Sequence, residues 1–207
     1  MLHPGGFFLL PLCAAGSKRG DPMEATSITL PEWTSLFLKE NQIRRSAGDQ
    51  VRLAIRLSEL NVTHQTGGPF GAAVFDAEGR LISVGVNRVI PENCSLAHAE
   101  IVALMLAQSA AGRYRLDLDP AREYTLASSA QPCAMCFGAL LWSGIRLLRF
   151  GAGRDDVISL TGFDEGPLPD DWRGELLGRG CRVEGPILSE AACDILTRYK
   201  TLGGILY

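Results

Sequence analysis

The alternation of apolar and polar residues predicts a chain of interleaved helices and strands. From Asp49 to Asn61, apolar residues recur at helical spacing beside arginine and glutamate, which predicts an amphipathic helix with one solvated face. Turn residues at 76–79 separate two apolar runs and predict a β-hairpin. Strands are predicted at 72–75, 81–86, 124–128, 147–150 and about 181–183. Such alternation is typical of a layered α/β sheet.

Two strongly apolar segments predict buried helices. Ser95 is a candidate N-cap for a helix that begins near Ala97 and is apolar on nearly every side. Pro132 suits the first turn of a helix from Cys133 to about Trp142, because proline lacks only a donor that is unpaired there. A closing helix is expected at about 190–201. These two apolar helices hold the chemically interesting residues.

Composition indicates one globular domain. The chain has 207 residues, of which 46% are hydrophobic and 21% charged, close to the globular average. Its net charge of −3 offers no basic stripe for a phosphate backbone, so nucleic acid is a disfavoured partner. No apolar run reaches the length of about 18 residues that a membrane helix needs. A membrane partner is therefore not expected.

The cysteines and the first residues bear on localisation. Six cysteines in 207 residues fall short of the density of a secreted disulfide scaffold, which favours a reducing cytoplasm. Residues 5–16 resemble the apolar part of a signal peptide but lack a preceding basic region. Met23 opens a segment that reads more naturally as the start of a cytosolic protein. We therefore expect 1–22 to be an extension and 23–207 to be one domain.

Three residues have the character of catalytic zinc ligands. Catalytic zinc needs three protein ligands and one open position, and His98, Cys133 and Cys136 supply that number. Cys133 and Cys136 lie three residues apart, so their sulfurs share a helix face. A Cys-x-x-Cys pair alone also suits a redox site or half of a structural zinc site. The pair needs its context to be interpreted.

That context is His98-x-Glu100 followed by Pro132-Cys133-x-x-Cys136, which matches the signature of zinc deaminases. Zinc lowers the pKa of a water toward about 7, and Glu100 is the candidate proton shuttle. Alternatively, Glu100 only stabilises the N-terminus of a helix through its negative charge, and His98 is a hydrogen-bonded core residue. A purely structural zinc site would require a fourth protein ligand, and the sequence offers none at suitable spacing.

Two further features are candidates for substrate binding. Glycines flank Phe70, which permits close backbone approach to a flat ring and stacking on the phenyl group. Asn87 ends the second predicted strand, and its amide could pair with the edge of a nucleobase. The alternatives are a flexible loop at Phe70 and a simple turn at Asn87.

Together, the segments 67–72, 97–100 and 132–139 with Asn87 resemble the cytidine-deaminase-like superfamily, and within it the bacterial guanine deaminases. The resemblance covers about 49–153. It implies a three-layer α/β/α fold with a central mixed five-stranded sheet. It also implies one zinc ion per active site and conversion of guanine to xanthine and ammonia in a homodimer.

The resemblance extends to two features after the core. The run Gly162 to Glu165 implies that Glu165 or Asp164 acts in the pocket, although a solvated acidic loop is the alternative. The tail ending at Tyr207 implies closure of the pocket, in that family often from the partner subunit.

Other substrates remain open from sequence. A tRNA adenosine deaminase is similar across the same motifs, but RNA binding needs lysine and arginine along the strand path and this chain is acidic. Cytosine, nucleoside, amino-triazine and pterin deaminases share the same signature, because pocket shape decides the substrate. A free nucleobase is the expected ligand.

Overall fold

A computed structural model describes residues 27–119 and 121–207, and the expected extension at 1–22 lies outside them. The helices are α1 (Trp33–Glu40), α2 (Ala47–Thr63), α3 (Ala99–Ala111), α4 (Ala134–Ser143), α5 (Arg154–Thr161), α6 (Trp172–Gly178) and α7 (Ser189–Thr201). The strands are β1 (Gly71–Asp76), β2 (Leu81–Val86), β3 (Tyr124–Ala130), β4 (Leu147–Ala152) and β5 (Arg182–Glu184).

The five strands form one mixed sheet in the order β2-β1-β3-β4-β5. The hairpin β1–β2 and the pair β1–β3 are antiparallel, whereas β3–β4 and β4–β5 are parallel. The parallel crossovers pass through α4 and then through α5 and α6, as parallel strands require a long connection. The predicted central mixed five-stranded sheet is confirmed.

Helices cover both faces of this sheet. Along β1, Ala72 and Val74 pack with residues of α3 and α4, while Ala73 and Phe75 pack with residues of α2. This alternation follows from the two-residue period of a strand. Helix α7 packs with α2 and β4 and so completes the second helical layer. The architecture is the three-layer α/β/α fold.

Helix α3 packs so closely on β2 that the two backbones are in contact. A Cβ atom added to Gly85 would lie 2.0 Å from the Ala99 carbonyl oxygen and 2.6 Å from the Ala103 nitrogen, so only glycine permits this approach. The Ser83 hydroxyl donates to the Ala103 carbonyl at 2.7 Å. These contacts place the first turn of α3 against the sheet.

Three details of the helix predictions are wrong. Helix α3 starts at Ala99 with His98 as its N-cap, so Ser95 does not cap it. Helix α4 starts at Ala134 with Cys133 as its N-cap, so Pro132 precedes the helix. In addition, α3 is not buried on every side, because Met105 is 51% exposed.

Within the part of the chain that the structure describes, no helix combines the length and the apolar character needed to cross a bilayer.

Candidate active site and metal centre

The N-termini of α3 and α4 bring the three predicted ligands together. Strand β3 leads into α4 through Cys133, and His98 immediately precedes α3. The Cys133 and Cys136 sulfurs lie 3.5 Å and 3.7 Å from His98 Nδ1. His98 and Cys133 are the N-cap residues of α3 and α4, and both have an extended backbone. Their side chains therefore point away from the helices and meet between the two helix ends.

This group fits zinc in number and chemistry. One ligand atom from each of the three residues lies within 4.8 Å of the others, and in the described part of the chain this is the one such group. An imidazole and two thiolates are ligands that zinc prefers. Because the group offers three ligands, a fourth position is left for water or substrate, as in catalytic zinc sites.

The two thiols differ electrostatically in the metal-free protein. A hydrogen bond from the Cys136 thiol, assisted by His98, lowers the pKa of Cys133 to about 4 against the effect of burial. The same hydrogen bond, together with burial, raises the pKa of Cys136. The lowered pKa of Cys133 favours its thiolate before metal binds, and metal binding would release the proton of Cys136.

Glu100 lies in the first turn of α3, beside the three candidate metal ligands. Its side chain is buried, its Oε2 accepts from the Cys136 thiol at 3.4 Å, and its Oε1 accepts from the Ser128 hydroxyl at 3.2 Å. Burial, and then the negative charge of Cys133, raises the pKa of Glu100. A carboxyl whose proton affinity is raised in this way is suited to accept a proton and return it during a reaction.

A pocket opens directly onto these residues. Its lining includes all five residues that the sequence singled out for substrate binding, namely Phe70, Asn87, Asp164, Glu165 and Tyr207, beside His98, Glu100 and Cys133. The structure therefore brings the strand end, the loop after α5 and the C-terminal tail to one place. Their individual roles stay predictions.

The two acidic residues of the loop after α5 differ in exposure. Glu165 is 7% exposed, and burial followed by the negative charges of Cys133 and Glu100 raises its pKa to about 8. Asp164 is exposed and its Oδ1 accepts from the Gly166 amide at 2.9 Å. Glu165 is thus a buried carboxyl of the pocket, whereas Asp164 lies at its solvent side.

Asn87 presents an amide donor to the pocket. The residue is fully buried, and its Oδ1 accepts from the Val89 amide at 3.3 Å. Its Nδ2 is buried and finds no protein acceptor among the described residues. Because a buried donor without a partner is costly, this nitrogen is suited to a ligand acceptor.

An aromatic wall and the tail close the pocket. Phe163 lies 5.4 Å from the Phe70 ring and 4.8 Å from the Tyr207 ring, and the tail of the same chain supplies this tyrosine. The cavity that these side chains enclose has a volume of about 30 Å³. That volume holds water but not a purine, so a base can enter only if the tail or an aromatic side chain moves.

Sequence reasoning missed three residues of the site. Phe163 and Gln131 line the pocket, and Ser128 contacts Glu100. Phe163 directly precedes the acidic pair and Gln131 directly precedes Pro132, so their position beside motif residues was a usable signal. Ser128 points to the site because alternate residues of β3 face α3.

Comparison with known proteins agrees with this geometry. Residues 45–152 match the zinc-binding region of the cytidine and deoxycytidylate deaminases. The guanine deaminase of Bacillus subtilis is 34% identical over 115 residues, 56% of this chain and 69% of the relative. The tRNA-specific adenosine deaminase of Buchnera aphidicola is 43% identical, but over 43% of this chain and 55% of the relative.

A solved structure resembles the chain over most of its length. The guanine deaminase from Nitrosomonas europaea is 41% identical, and the similarity covers 88% of this chain and all of that one, with a TM-score of 0.83. This similarity extends well beyond residues 45–152.

Proposed function

We propose that guanine is the substrate of this chain, which belongs to the cytidine and deoxycytidylate deaminase family and is a zinc-dependent hydrolytic deaminase. The products would be xanthine and ammonia. One observation carries the proposal: the similarity to a guanine deaminase spans 88% of the chain and so includes most of the part after β4, where the buried Glu165 lies.

The pocket offers groups complementary to a guanine ring. Guanine presents both N–H donors and lone-pair acceptors along its edges. The Asn87 Nδ2 is a buried donor without a protein partner, and the Glu165 carboxyl is a buried acceptor. Phe70 and Phe163 provide apolar ring surface for the flat base.

His98, Cys133 and Cys136 would hold the zinc ion, which when bound supplies a nucleophile at neutral pH by lowering the pKa of a water. Glu100 performs the proton transfers. It takes a proton from the attacking water and gives it to a ring nitrogen. It then takes the proton of the hydroxyl that has been added at the amine-bearing carbon and gives it to the amine, so that a carbonyl forms, the C–N bond breaks and ammonia leaves. The Ser128 hydroxyl donates to Oε1 of Glu100, so that Oε2 of the same carboxyl faces the candidate zinc ligand Cys136.

The C-terminal tail would control entry of the base into the pocket. Tyr207 is partly buried, and its buried hydroxyl has no protein partner among the described residues. Since the enclosed space is smaller than a purine, Tyr207 would move to admit the base and then return over it. Return of the ring would exclude bulk water during proton transfer.

A substrate panel tests the proposal. Zinc-loaded protein is incubated with guanine, cytosine, adenosine, cytidine and a tRNA anticodon stem, and ammonia release is measured for each. Guanine should react fastest. Reaction of the tRNA stem without reaction of the free bases would overturn the substrate and leave the deaminase chemistry intact.

We also propose that two copies associate through the exposed side of α3 and α4. Four large apolar residues on these helices or just before α3 are exposed, namely Leu96 at 58%, Met105 at 51%, Leu106 at 38% and Trp142 at 67%, and a patch of this kind would mark an interface. Light scattering should give twice the chain mass. Met105→Glu should shift that mass toward one chain, whereas an unchanged dimer would place the interface elsewhere.

The domain bounds and location are likewise proposals. We propose that 23–207 form the deaminase domain and that it works in the cytoplasm, which is supported by the free thiols of all five described cysteines. A chain that begins at Met23 should keep full activity, and fractionation should find the protein with cytoplasmic enzymes. Loss of activity in the shorter chain would contradict the proposed bounds.

A further inference from the structure

A buried asparagine on α2 joins two segments that line the pocket. Asn61 has no exposed surface, and its Nδ2 donates to the Gly68 carbonyl at 2.8 Å and to the Asn87 carbonyl at 2.9 Å. These carbonyls belong to the glycine loop before β1 and to the residue after β2. One side-chain amide therefore fixes both segments relative to α2.

The backbones of the glycine loop and of Asn87 are in direct contact. A Cβ atom at Gly67 would lie 1.9 Å from the Asn87 carbonyl oxygen and 2.7 Å from Asn61 Nδ2. The Asn87 amide nitrogen also donates to the Phe70 carbonyl at 3.1 Å. Because Gly67 has no side chain to push the glycine loop away from Asn87, the Asn61 amide can reach both carbonyls.

A hydroxyl and an indole fix the orientation of the Asn61 amide. The Thr66 hydroxyl donates to Asn61 Oδ1 at 2.8 Å, which assigns Nδ2 to the two carbonyls. The Trp33 Nε1 in turn donates to the Thr66 hydroxyl oxygen at 3.1 Å. Trp33 belongs to α1, which precedes the matched family region at 45–152. The series of donors therefore runs from α1 to the pocket.

This series leaves Asn87 little freedom. Its carbonyl is held by Asn61, its amide nitrogen by Phe70, and its Oδ1 by the Val89 amide. The remaining polar atom is Nδ2, which is buried at the pocket with no protein acceptor among the described residues. Fixing the main chain on both sides thus directs this one donor at the ligand.

We propose that Asn61, oriented by Thr66 and Trp33, is a positioning residue that fixes the Asn87 amide for binding of the nucleobase. The inference rests on the proposed function in that a base must occupy the pocket. It concerns binding and not proton transfer, because Asn61 touches neither Glu100 nor the metal ligands in the contacts that the structure gives.

Thr66 offers the most direct test, since its hydroxyl can be removed with little change of shape. Thr66→Val removes the donor to Asn61 and the acceptor for Trp33, while Thr66→Ser keeps both. For Thr66→Val we expect KM for guanine to rise about 3- to 10-fold with kcat changed less than about 2-fold, as when uniform binding is lost. Thr66→Ser should restore KM.

Asn61→Asp is the stronger perturbation. A carboxylate offers acceptors where the Gly68 and Asn87 carbonyls need donors, so KM should rise by about 10-fold or more. Ser143→Ala is the matched control, because it removes another buried hydroxyl, which lies at the end of α4 outside the pocket lining and donates to the Leu140 carbonyl. It should lower the melting temperature and leave KM unchanged.

The outcomes separate the two claims. Equal KM values for wild type, Thr66→Val and Thr66→Ser would overturn the positioning role, including when Asn61→Asp fails to fold. If wild type leaves guanine unchanged but deaminates another base of the panel, the proposed substrate is wrong. The same KM comparison with that base then decides the role of Asn61.

Discussion

The close contact between β2 and the first turn of α3 is required for placement of Glu100. In Gly85→Ala, the new Cβ would lie 2.0 Å from the Ala99 carbonyl oxygen, whereas ordinary contacts begin at 3.4 Å. Strand and helix must therefore separate by about 1.4 Å. Overpacking of this kind costs about 1–3 kcal/mol, which lowers Tm by roughly 2–12 °C for a domain of this size.

The same displacement reaches the candidate zinc ligand His98 and the proposed proton shuttle Glu100, because Ala99 lies between them. A shift of about 1 Å in a catalytic group can cost about 100-fold in rate, so we expect kcat to fall by at least about 10-fold. Xanthine formation and thermal denaturation of zinc-loaded protein measure both effects. Gly48→Ala in α2 is the control, since its Cβ would meet nothing within 4 Å and both quantities should stay near wild type. Wild-type Tm and kcat for Gly85→Ala would refute the reasoning.

The metal centre, Glu165 and the C-terminal tail can each be tested separately. Chelation should abolish turnover and lower Tm, and zinc should restore both, because the three ligands converge within 4.8 Å; retained turnover in metal-free protein would contradict this. Burial, with the negative charges of Cys133 and Glu100, raises the pKa of Glu165 from 4.5 to about 8. The folded metal-free protein therefore holds a proton that the unfolded chain loses, so its free energy of unfolding should fall between pH 5 and 8, and less so in Glu165→Gln; equal pH dependence would refute it. Tyr199→Phe removes the 2.8 Å hydrogen bond to the Ile205 carbonyl that anchors the tail, so KM for guanine should rise about 5-fold. An unchanged KM would show that this hydrogen bond does not hold the tail in its binding position.

Local sequence patterns were sufficient for the sheet and the metal ligands. The strands alternate or run apolar between clear turns, and the ligand residues stand at spacings that the chemistry itself requires. Helices α1, α5 and α6 were not predicted because they are short, at 8, 8 and 7 residues. Short helices depend on packing more than on their own sequence.

Contacts between distant segments could not be read from the sequence. Asn61 and Asn87 are 26 residues apart, and Ser128 and Glu100 are 28 apart. Both contacts depend on how α2 and α3 pack on the strands, which periodicity does not specify. The start of α3 was misplaced for a related reason: Ser95 has good capping chemistry, but the chain needs His98 in the extended N-cap position to reach the cysteines.

Turnover of guanine by wild type and by Glu100→Gln, with zinc content measured on the same samples, tests the central claim most directly. The wild type should form xanthine and ammonia in equal amounts. The variant should retain about one zinc per chain and lose turnover by about 100-fold or more, because a general acid-base residue is removed while the ligands remain. Near-wild-type turnover in the zinc-loaded variant would contradict the account.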